Sequence, residues 1–137
     1  YDAAKNENQG FFLRISGDSP LIDFRLINKI INIFEKNKNF DLITNLFPRT
    51  FPAGQSVEII RTDTLGQNLK FFSKLDKEHV TRYFYRNSSK FKIKNFTNNK
   101  KINIKKLSID TLDELKTILK LFTKKKFLNF SYLNEKN

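Results

Sequence analysis

Short apolar runs along this chain alternate with longer amphipathic stretches. Phe11–Ile15 and Val57–Ile60 are apolar and rich in β-forming residues, a pattern typical of buried strands. Phe40–Asn45 and Ile104–Ile109 are further strand candidates, and Phe91–Phe96 alternates apolar with polar residues, as a half-exposed strand does. The pattern therefore predicts five strands.

Helical periodicity fills most of the intervals between these strands. A helix is predicted to begin at an N-cap, Asp23, and to continue to Lys36, because isoleucines recur there at helical spacing. Two more helical segments are predicted at Thr62–Leu75 and Lys77–Asn87, whereas two prolines make Phe47–Gly54 a loop. Strand and helix thus alternate as they do in βαβ units.

The last predicted helix carries the clearest local signal. Thr111–Glu114 matches the capping box, in which an N-cap hydroxyl and an acidic side chain three residues later bond each other's main chain, and the apolar spacing continues to Phe122. Strands that alternate with helices of about 10–15 residues are typical of parallel sheets. We therefore predict an α/β fold with a mixed, largely parallel sheet flanked by helices.

The composition limits what kind of protein this can be. With 137 residues, 39% of them hydrophobic, the chain is one domain or part of one and has enough apolar material for a core. It has no Cys and one His, which excludes thiolate chemistry and a multi-histidine metal site. It has no run of ~18 apolar residues and no signal-peptide pattern, so we expect a cytoplasmic protein without membrane contact.

The net charge of +12 raises the question of nucleic-acid binding. The excess is concentrated after residue 89, where 13 basic residues face 4 acidic ones, and 20 of the 26 basic residues are Lys. Base recognition favours Arg, and no recognised nucleic-acid-binding motif is present. We therefore expect no nucleic-acid partner and interpret the lysines as a solvated face; a basic nucleic-acid-binding module is the less favoured alternative.

Two acidic residues follow predicted strands, where open α/β sheets bind ligands. Asp18 comes after the strand that ends at Ile15, and Asp110 directly follows Ile109. Carboxylate oxygens suit a hard cation such as Mg²⁺, which proteins usually hold with one or two carboxylates and substrate phosphates. The alternative is that Asp18 caps a turn and Asp110 a helix. A shared metal predicts that the two carboxylates approach to roughly 3–5 Å.

Four segments carry a more specific pattern. Arg14–Asp23 has the form R-x-x-G-D-x-P-L-I-D, and Arg49–Glu58 has the form R-x-F-P-x-G-x-x-V-E. Glu78–Tyr85 has the form E-H-V-T-x-Y-x-Y, and Leu107–Leu115 is close to L-x-V-D-T-x-E-D-L. In this order the segments resemble the sugar-nucleotide cytidylyltransferases, a family that includes the spore-coat polysaccharide, acylneuraminate (CMP-sialic acid) and CMP-Kdo types.

The resemblance implies a Rossmann-like nucleotidyltransferase fold, similar to that of the GT-A glycosyltransferases. It also implies an enzyme that transfers CMP from CTP to a sugar or sugar acid for polysaccharide or glycan synthesis. Asp18 and Asp110 match the positions that bind the cofactor Mg²⁺, and Arg14 would be a third catalytic residue beside the nucleotide. The segments that line the acceptor pocket in this family supply the expected substrate-binding residues Arg49, Gln55, Glu58 and His79.

The strand and basic Gly-rich loop with which the family begins, and which wraps CTP, have no counterpart in the sequence. The expected organisation is therefore the C-terminal portion of a cytidylyltransferase domain at residues 1–122, with the N-terminal half missing, and a Lys-rich tail or helix at residues 123–137. By resemblance we expect a homodimer with contacts at Lys77–Asn87. The remaining alternative is a non-catalytic remnant used for oligomerisation or regulation.

Overall fold

A four-stranded mixed sheet with helices on both faces forms the centre of the protein. The structure, a computed structural model, describes residues 1–99 and 106–123. The predicted α/β class with a mixed sheet flanked by helices is confirmed. The strands pair in the order β1-β3-β2-β4 and comprise β1 (Phe11–Ile15), β2 (Leu42–Thr44), β3 (Val57–Arg61) and β4 (Ile93–Asn95).

The helices differ in length and in how they begin. They are α1 (Asp2–Asn6), α2 (Phe24–Lys36), α3 (Thr62–Asn68), α4 (Lys74–Glu78), α5 (Arg82–Arg86) and α6 (Leu112–Thr123). The Asp23 side chain accepts a hydrogen bond from the Arg25 N–H, which confirms the predicted N-cap of α2. Thr111 and Glu114 bond each other's main chain ahead of α6, which confirms the predicted capping box.

Strand pairing corrects the expected parallel majority. β3 is antiparallel to both β1 and β2, and only β2 and β4 pair in parallel. The expected strand–helix–strand unit does exist, because β1 and β2 run in the same direction with α2 between them in the chain. The connection from β2 to β3, residues 45–56, contains no helix, so β3 turns back and lies antiparallel between them.

Both faces of the sheet are covered, because successive side chains of a strand point to opposite faces. On one face, α2 packs Leu26 and Ile30 against Ile59 of β3 and its neighbours. On the other face, Ile60 packs in an aromatic cluster around the fully buried Phe84 of α5. Each large apolar side chain buried in this way stabilises the fold by about 1.5–3 kcal/mol.

The helical layer between β3 and β4 is more broken than predicted. Ser73 starts a new helix, α4, because its hydroxyl and the Asp76 carboxylate form a capping box within the stretch predicted as one helix, Thr62–Leu75. Tyr83 and Phe84 of α5 are buried within the chain, so they are not available to the homodimer contact expected at Lys77–Asn87. That homodimer stays a prediction.

Some predictions lie at or outside the limits of the described residues. The strand predicted at Ile104–Ile109 falls partly outside them, and from Lys106 onward the chain makes a single parallel bridge, to Ala53, instead of a strand. The expected tail at residues 123–137 lies outside them except for Thr123. Within the described part of the chain, every helix is too short or too polar to cross a membrane.

Candidate functional site

A row of polar side chains crosses the sheet near one edge. Arg14 of β1, Glu58 of β3, Thr44 of β2 and Asn95 of β4 are partners in the strand register. β1, β2 and β4 run in the same direction and end at or just beyond this row. The row therefore marks the carboxyl ends of three strands, which is where open α/β sheets bind ligands.

Glu58 is the centre of this row and is only 1% exposed. Its Oε2 accepts hydrogen bonds from Arg14 Nη1 at 2.7 Å and from Thr81 Oγ1 at 3.3 Å. Its Oε1 accepts a hydrogen bond from the Tyr85 hydroxyl, and the Tyr85 oxygen accepts one from Thr44 Oγ1 at 2.8 Å, with Thr44 Oγ1 3.5 Å from Glu58 Oε1. Burial, together with the adjacent Glu58 carboxylate, raises the pKa of Tyr85, so this hydroxyl stays protonated and remains a donor.

This arrangement bears on two of the residues predicted from the sequence. The structure brings Arg14 and Glu58 together as an ion pair, in which the arginine is 29% exposed and the glutamate is buried. Because three groups of the protein already donate to Glu58, the geometry favours a role in positioning Arg14. The direct substrate contact expected of Glu58 stays an untested prediction.

Asp18 and Asp110 are brought together by the main chain. The Ile109 N–H donates to the Asp18 carbonyl at 2.9 Å, although these aspartates are 92 residues apart in the sequence. Both side chains are exposed, and Asp18 Oδ1 accepts a hydrogen bond from Ser19 Oγ at 2.9 Å. The two segments thus meet through the main chain, while the predicted approach of the two carboxylates and a metal shared by them stay predictions.

A close main-chain contact fixes the segment that leads to Asp110. Leu107 donates its N–H to the Ala53 carbonyl at 2.6 Å and is fully buried. Gly54 adopts a φ of +88°, and a Cβ at this position would lie 2.5 Å from the Ser108 nitrogen. Only glycine combines this backbone conformation with so close an approach, so the loop before β3 determines where Asp110 lies.

Lys106 supplies a cation next to the candidate metal ligand. Its Nζ lies 2.6 Å from Asp110 Oδ2 and 2.5 Å from Glu114 Oε1. These hydrogen bonds, led by the one to Asp110, raise the pKa of Lys106, and its ammonium group lowers the pKa of Glu114. A divalent cation at Asp110 would therefore have to share this carboxylate with the lysine or displace it.

The two exposed aspartates suit a cation that takes its remaining ligands from water and from the substrate. Among residues 1–99 and 106–123, no three His, Cys, Asp or Glu side chains group as metal ligands. Asp18 and Asp110 are exposed and offer hard oxygen ligands. Mg²⁺ usually binds through one or two carboxylates and takes its other ligands from water and phosphate, so the residues present fit the predicted ion.

Gln55 is built into the fold beneath the loop that carries Asp18. The residue is fully buried, its Oε1 accepts from the Asp23 N–H at 3.0 Å, and its Nε2 donates to the Leu21 carbonyl at 2.7 Å. Both ends of the amide therefore bond main chain just after the Asp18 turn. This geometry favours a role in shaping the loop, and the substrate contact predicted for Gln55 is untested.

Arg49 and His79 are the two predicted acceptor residues that reach the surface. Arg49 is exposed in the loop after β2, and its Nη1 donates to Ser56 Oγ at 3.4 Å. His79 is exposed at the end of α4, two residues before the Thr81 that bonds Glu58. Arg49 therefore lies near the polar row with an exposed guanidinium, and the substrate-binding roles of both residues stay predictions.

Several residues of the site were not singled out by the sequence analysis. Thr44, Thr81 and Tyr85 surround Glu58, and Lys106 pairs with Asp110. A signal existed for Thr44, because a polar residue inside a predicted strand can indicate a buried polar network, whereas Thr81 and Tyr85 lie in the predicted helical segment Lys77–Asn87 and carried no such signal. Lys106 carried no such signal, since it is one lysine in a Lys-rich region.

Comparisons with known proteins agree with this architecture. A chain from the solved structure of a cytidylyltransferase from Leptospira borgpetersenii serovar Hardjo-bovis (strain JB197) matches 97% of this chain with a TM-score of 0.84 and 30% identity; 57% of that chain is covered. An uncharacterized protein of Methanocaldococcus jannaschii is 32% identical over 124 residues, which are 88% of this chain and 49% of the relative. No protein-family model matches the chain. The chain has a cytidylyltransferase fold and spans about half the length of the curated relative that it matches.

Proposed function

We propose that this chain forms the metal- and acceptor-binding part of an enzyme that transfers CMP from CTP to a sugar or sugar acid. The similarity to a cytidylyltransferase, at 30% identity over 97% of the chain, supports CTP as the nucleotide. The observation that carries the proposal is the hydrogen bond from Ile109 to Asp18, because it joins the two segments that hold the exposed carboxylates at the ligand-binding edge of the sheet.

The reaction requires positioning and charge neutralisation more than covalent chemistry. A hydroxyl oxygen of the acceptor forms a bond to the α-phosphorus of CTP, the bond from that phosphorus to the β-phosphate oxygen breaks, and the hydroxyl proton passes to solvent. Pyrophosphate leaves, and the product is a CMP-sugar. The protein must hold the attacking and leaving oxygens in line and offset the phosphate charge.

Each residue of the site has a task in this scheme. Asp18 and Asp110 would hold Mg²⁺, which when bound supplies positive charge to the phosphates. Arg14, oriented by its ion pair with Glu58, faces the nucleotide with its exposed part. The Lys106 ammonium pairs with Asp110 and Glu114, and Glu114 would remain its partner if Asp110 held the ion.

The acceptor and the assembly are the finer parts of the proposal. An exposed arginine, Arg49, suits the carboxylate of a sugar acid of the acylneuraminate or Kdo type, since a guanidinium can bind a carboxylate through two parallel hydrogen bonds. We propose a cytoplasmic homodimer that makes CMP-sugars for a surface glycan. The exposed residues of Lys77–Asn87 remain the expected contact, with the buried Tyr83 and Phe84 excluded from it.

The decisive test is pyrophosphate release from CTP by the full-length protein. Reactions contain Mg²⁺ and, in separate experiments, N-acetylneuraminate, Kdo and neutral hexoses as acceptors. We expect Asp18→Asn and Asp110→Asn each to lower kcat/KM at least about 100-fold, because each removes a ligand of the cation that neutralises the phosphates. Asp113→Asn is the matched control, since Asp113 is 91% exposed at the start of the same helix and should leave the rate unchanged.

A metal measurement that does not depend on turnover accompanies the rate assay. Paramagnetic Mn²⁺ should broaden the amide resonances around Asp18 and Asp110 in NMR spectra, and either substitution should abolish the effect. The Asp113→Asn protein should behave as wild type. Absence of CMP transfer to every acceptor class, or full activity in the Asp18→Asn protein, would contradict the proposal.

A further inference from the structure

Phe47 presents an aromatic ring at the same edge of the sheet as the polar row. It follows β2 by three residues and is 40% exposed. One face stacks on the ring of Tyr85, with centroids 5.0 Å apart and planes 16° from parallel. Because Tyr85 also bonds Glu58, the ring of Phe47 rests on the same network that positions Arg14.

The loop that carries Phe47 is held in place by the polar row. The Phe47 N–H donates to Asn95 Oδ1 at 3.1 Å, and Asn95 Nδ2 donates to the Pro48 carbonyl at 3.2 Å. The Leu46 N–H donates to Thr44 Oγ1 at 3.1 Å. An exposed aromatic ring is therefore fixed by three hydrogen bonds to two side chains of the sheet, which is the arrangement of a preformed surface and not of a loose loop.

We propose that Phe47 is the stacking surface for the sugar ring of the acceptor and that Arg49, two residues later, binds the acceptor's acidic group. This inference rests on the proposed function and names the acceptor subsite within it. The C–H groups on one face of a pyranose ring are apolar and slightly positive, which complements the negative face of an aromatic ring. Sites for small molecules typically combine such an apolar surface with a few polar groups.

The position of Phe47 favours the acceptor over the nucleotide base. Asp18 follows β1 whereas Phe47 follows β2, and β3 lies between these strands. Two strand spacings, about 10 Å, therefore separate β1 from β2, so the two loops start from different strands of the sheet. In an in-line displacement the acceptor approaches the α-phosphorus from the side opposite to pyrophosphate, so a surface displaced from the metal-held phosphates suits the acceptor.

The chain lacks tryptophan, which permits a site-specific test. The Phe47→Trp protein carries a single indole on the proposed surface. The matched control is Phe71→Trp, because Phe71 is a 59% exposed aromatic residue in the 3-10 turn that follows α3 and makes no contact with the polar row among the contacts of the described residues. N-acetylneuraminate and methyl β-glucoside serve as acidic and neutral probes. We expect a saturable fluorescence change in the Phe47→Trp protein and none in the control.

The role of Arg49 is tested in the Phe47→Trp background. Arg49→Ala should weaken binding of N-acetylneuraminate about tenfold, the value expected for loss of a charge-assisted hydrogen bond, with little change for the neutral glycoside. Binding to the wild-type protein is followed by the NMR shifts of the Phe47 and Phe71 ring protons. That measurement needs no substitution, so it does not depend on the folding of a variant.

Three results would overturn the inference: no saturable response to either sugar, an equal response in the Phe71→Trp control, or a response to cytidine alone. Magnesium-dependent CTP binding to the full-length wild-type protein is measured in parallel by calorimetry. If the protein binds CTP but the fluorescence of the Phe47→Trp protein does not respond to either sugar, the acceptor subsite is refuted and the proposed function stands. A sugar response without CTP binding retains the sugar site and removes the proposed function.

Discussion

The carboxylate of Glu58 and those of Asp18 and Asp110 lie at one edge of the same sheet in opposite environments. Glu58 is 1% exposed and accepts hydrogen bonds from three groups of the protein. Asp18 and Asp110 are exposed, and each has one polar partner of its own chain, Ser19 or Lys106, among the side-chain contacts of the described residues.

The difference in burial indicates which carboxylates can bind a ligand and which one has a structural role. A buried anion must have its partners supplied by the fold, because an unpaired charge in the interior is very unfavourable. Once those partners surround it, a buried carboxylate such as Glu58 is shielded from a ligand and holds its neighbours in place. An exposed carboxylate is solvated and can exchange water for a cation or a substrate group. Glu58 therefore has a structural role inside the site, and the exposed Asp18 and Asp110 are the carboxylates available to bind a cation or substrate.

Removing the buried carboxylate should have the largest effect on stability. Glu58→Ala leaves the partly buried Arg14 and the hydroxyls of Thr81 and Tyr85 without their acceptor. We expect the free energy of unfolding, measured in urea, to fall by about 3–5 kcal/mol, the usual result of breaking a buried pair from one side. Tyr85→Phe removes one donor only and should cost about 1–3 kcal/mol. A loss below about 1 kcal/mol for Glu58→Ala would show that Glu58 is not the centre of the network.

The second largest loss of stability is expected from disrupting the main-chain contact between Gly54 and the segment that leads to Asp110. Gly54→Ala forces a side chain into a φ of +88° and against the Ser108 nitrogen, so we expect a loss of about 1–3 kcal/mol. Because this contact leads to Asp110, the affinity for Mn²⁺ should fall as well. Gly10→Ala is the control, since a Cβ at Gly10 has no atom within 4 Å. Equal effects at the two glycines would mean that the close approach at residue 54 is unimportant.

Asp76, a buried carboxylate outside both regions, should affect stability mainly in acid. It accepts hydrogen bonds from Ser73, whose hydroxyl is the main cause of the lowering of its pKa from 3.8 to about 2, and from Arg82 and Arg86. Because the pKa is lower in the folded state, the carboxylate stabilises the protein above about pH 4, and this contribution is lost as the pH falls towards 2.

The corresponding substitution is Asp76→Asn. The wild-type protein should lose stability between about pH 4 and pH 2 more steeply than the variant, and the two should converge below that range. Near neutral pH the loss should be smaller than for Glu58→Ala, because Arg82 and Arg86 are 42% and 48% exposed and regain water. The measurement is urea unfolding from pH 7 to pH 2, with Asp113→Asn as the control. If the free energies of unfolding of wild type and Asp76→Asn fall in parallel as the pH is lowered, the predicted role of Asp76 is wrong.

What the sequence predicted correctly was local. The limits of β1 and the caps of α2 and α6 follow from residues within a few positions of one another, Asp23 with Arg25 and Thr111 with Glu114. These features depend on spacing and hydrogen bonds inside one element. A single sequence contains that information directly.

What the sequence did not predict depends on distant parts of the chain. The burial of Glu58 results from Arg14, 44 residues earlier, and from Tyr85, 27 residues later. The position of β3 between β1 and β2 follows from a helix-free loop whose direction no periodicity encodes. Lys106 became part of the site only because the loop at Ala53 and Gly54 fixes the segment beside it.

The smallest effect on stability is expected for the exposed Asp18 and Asp110. This prediction is the sharpest test of the difference between them and the buried Glu58. Asp18→Asn and Asp110→Asn remove charges that face water, and the pair of Asp110 with Lys106 is a surface ion pair, a type that contributes little to folding. Each variant should therefore keep its Tm within about 2 °C of wild type, measured by calorimetry without divalent cations. Added Mn²⁺ should raise the Tm of the wild-type protein and not that of either variant, because a ligand that binds only the native state stabilises it. A large fall in Tm without metal would mean that these aspartates, like Glu58, are needed for the fold. The proposed difference between a structural carboxylate and two binding carboxylates would then be wrong.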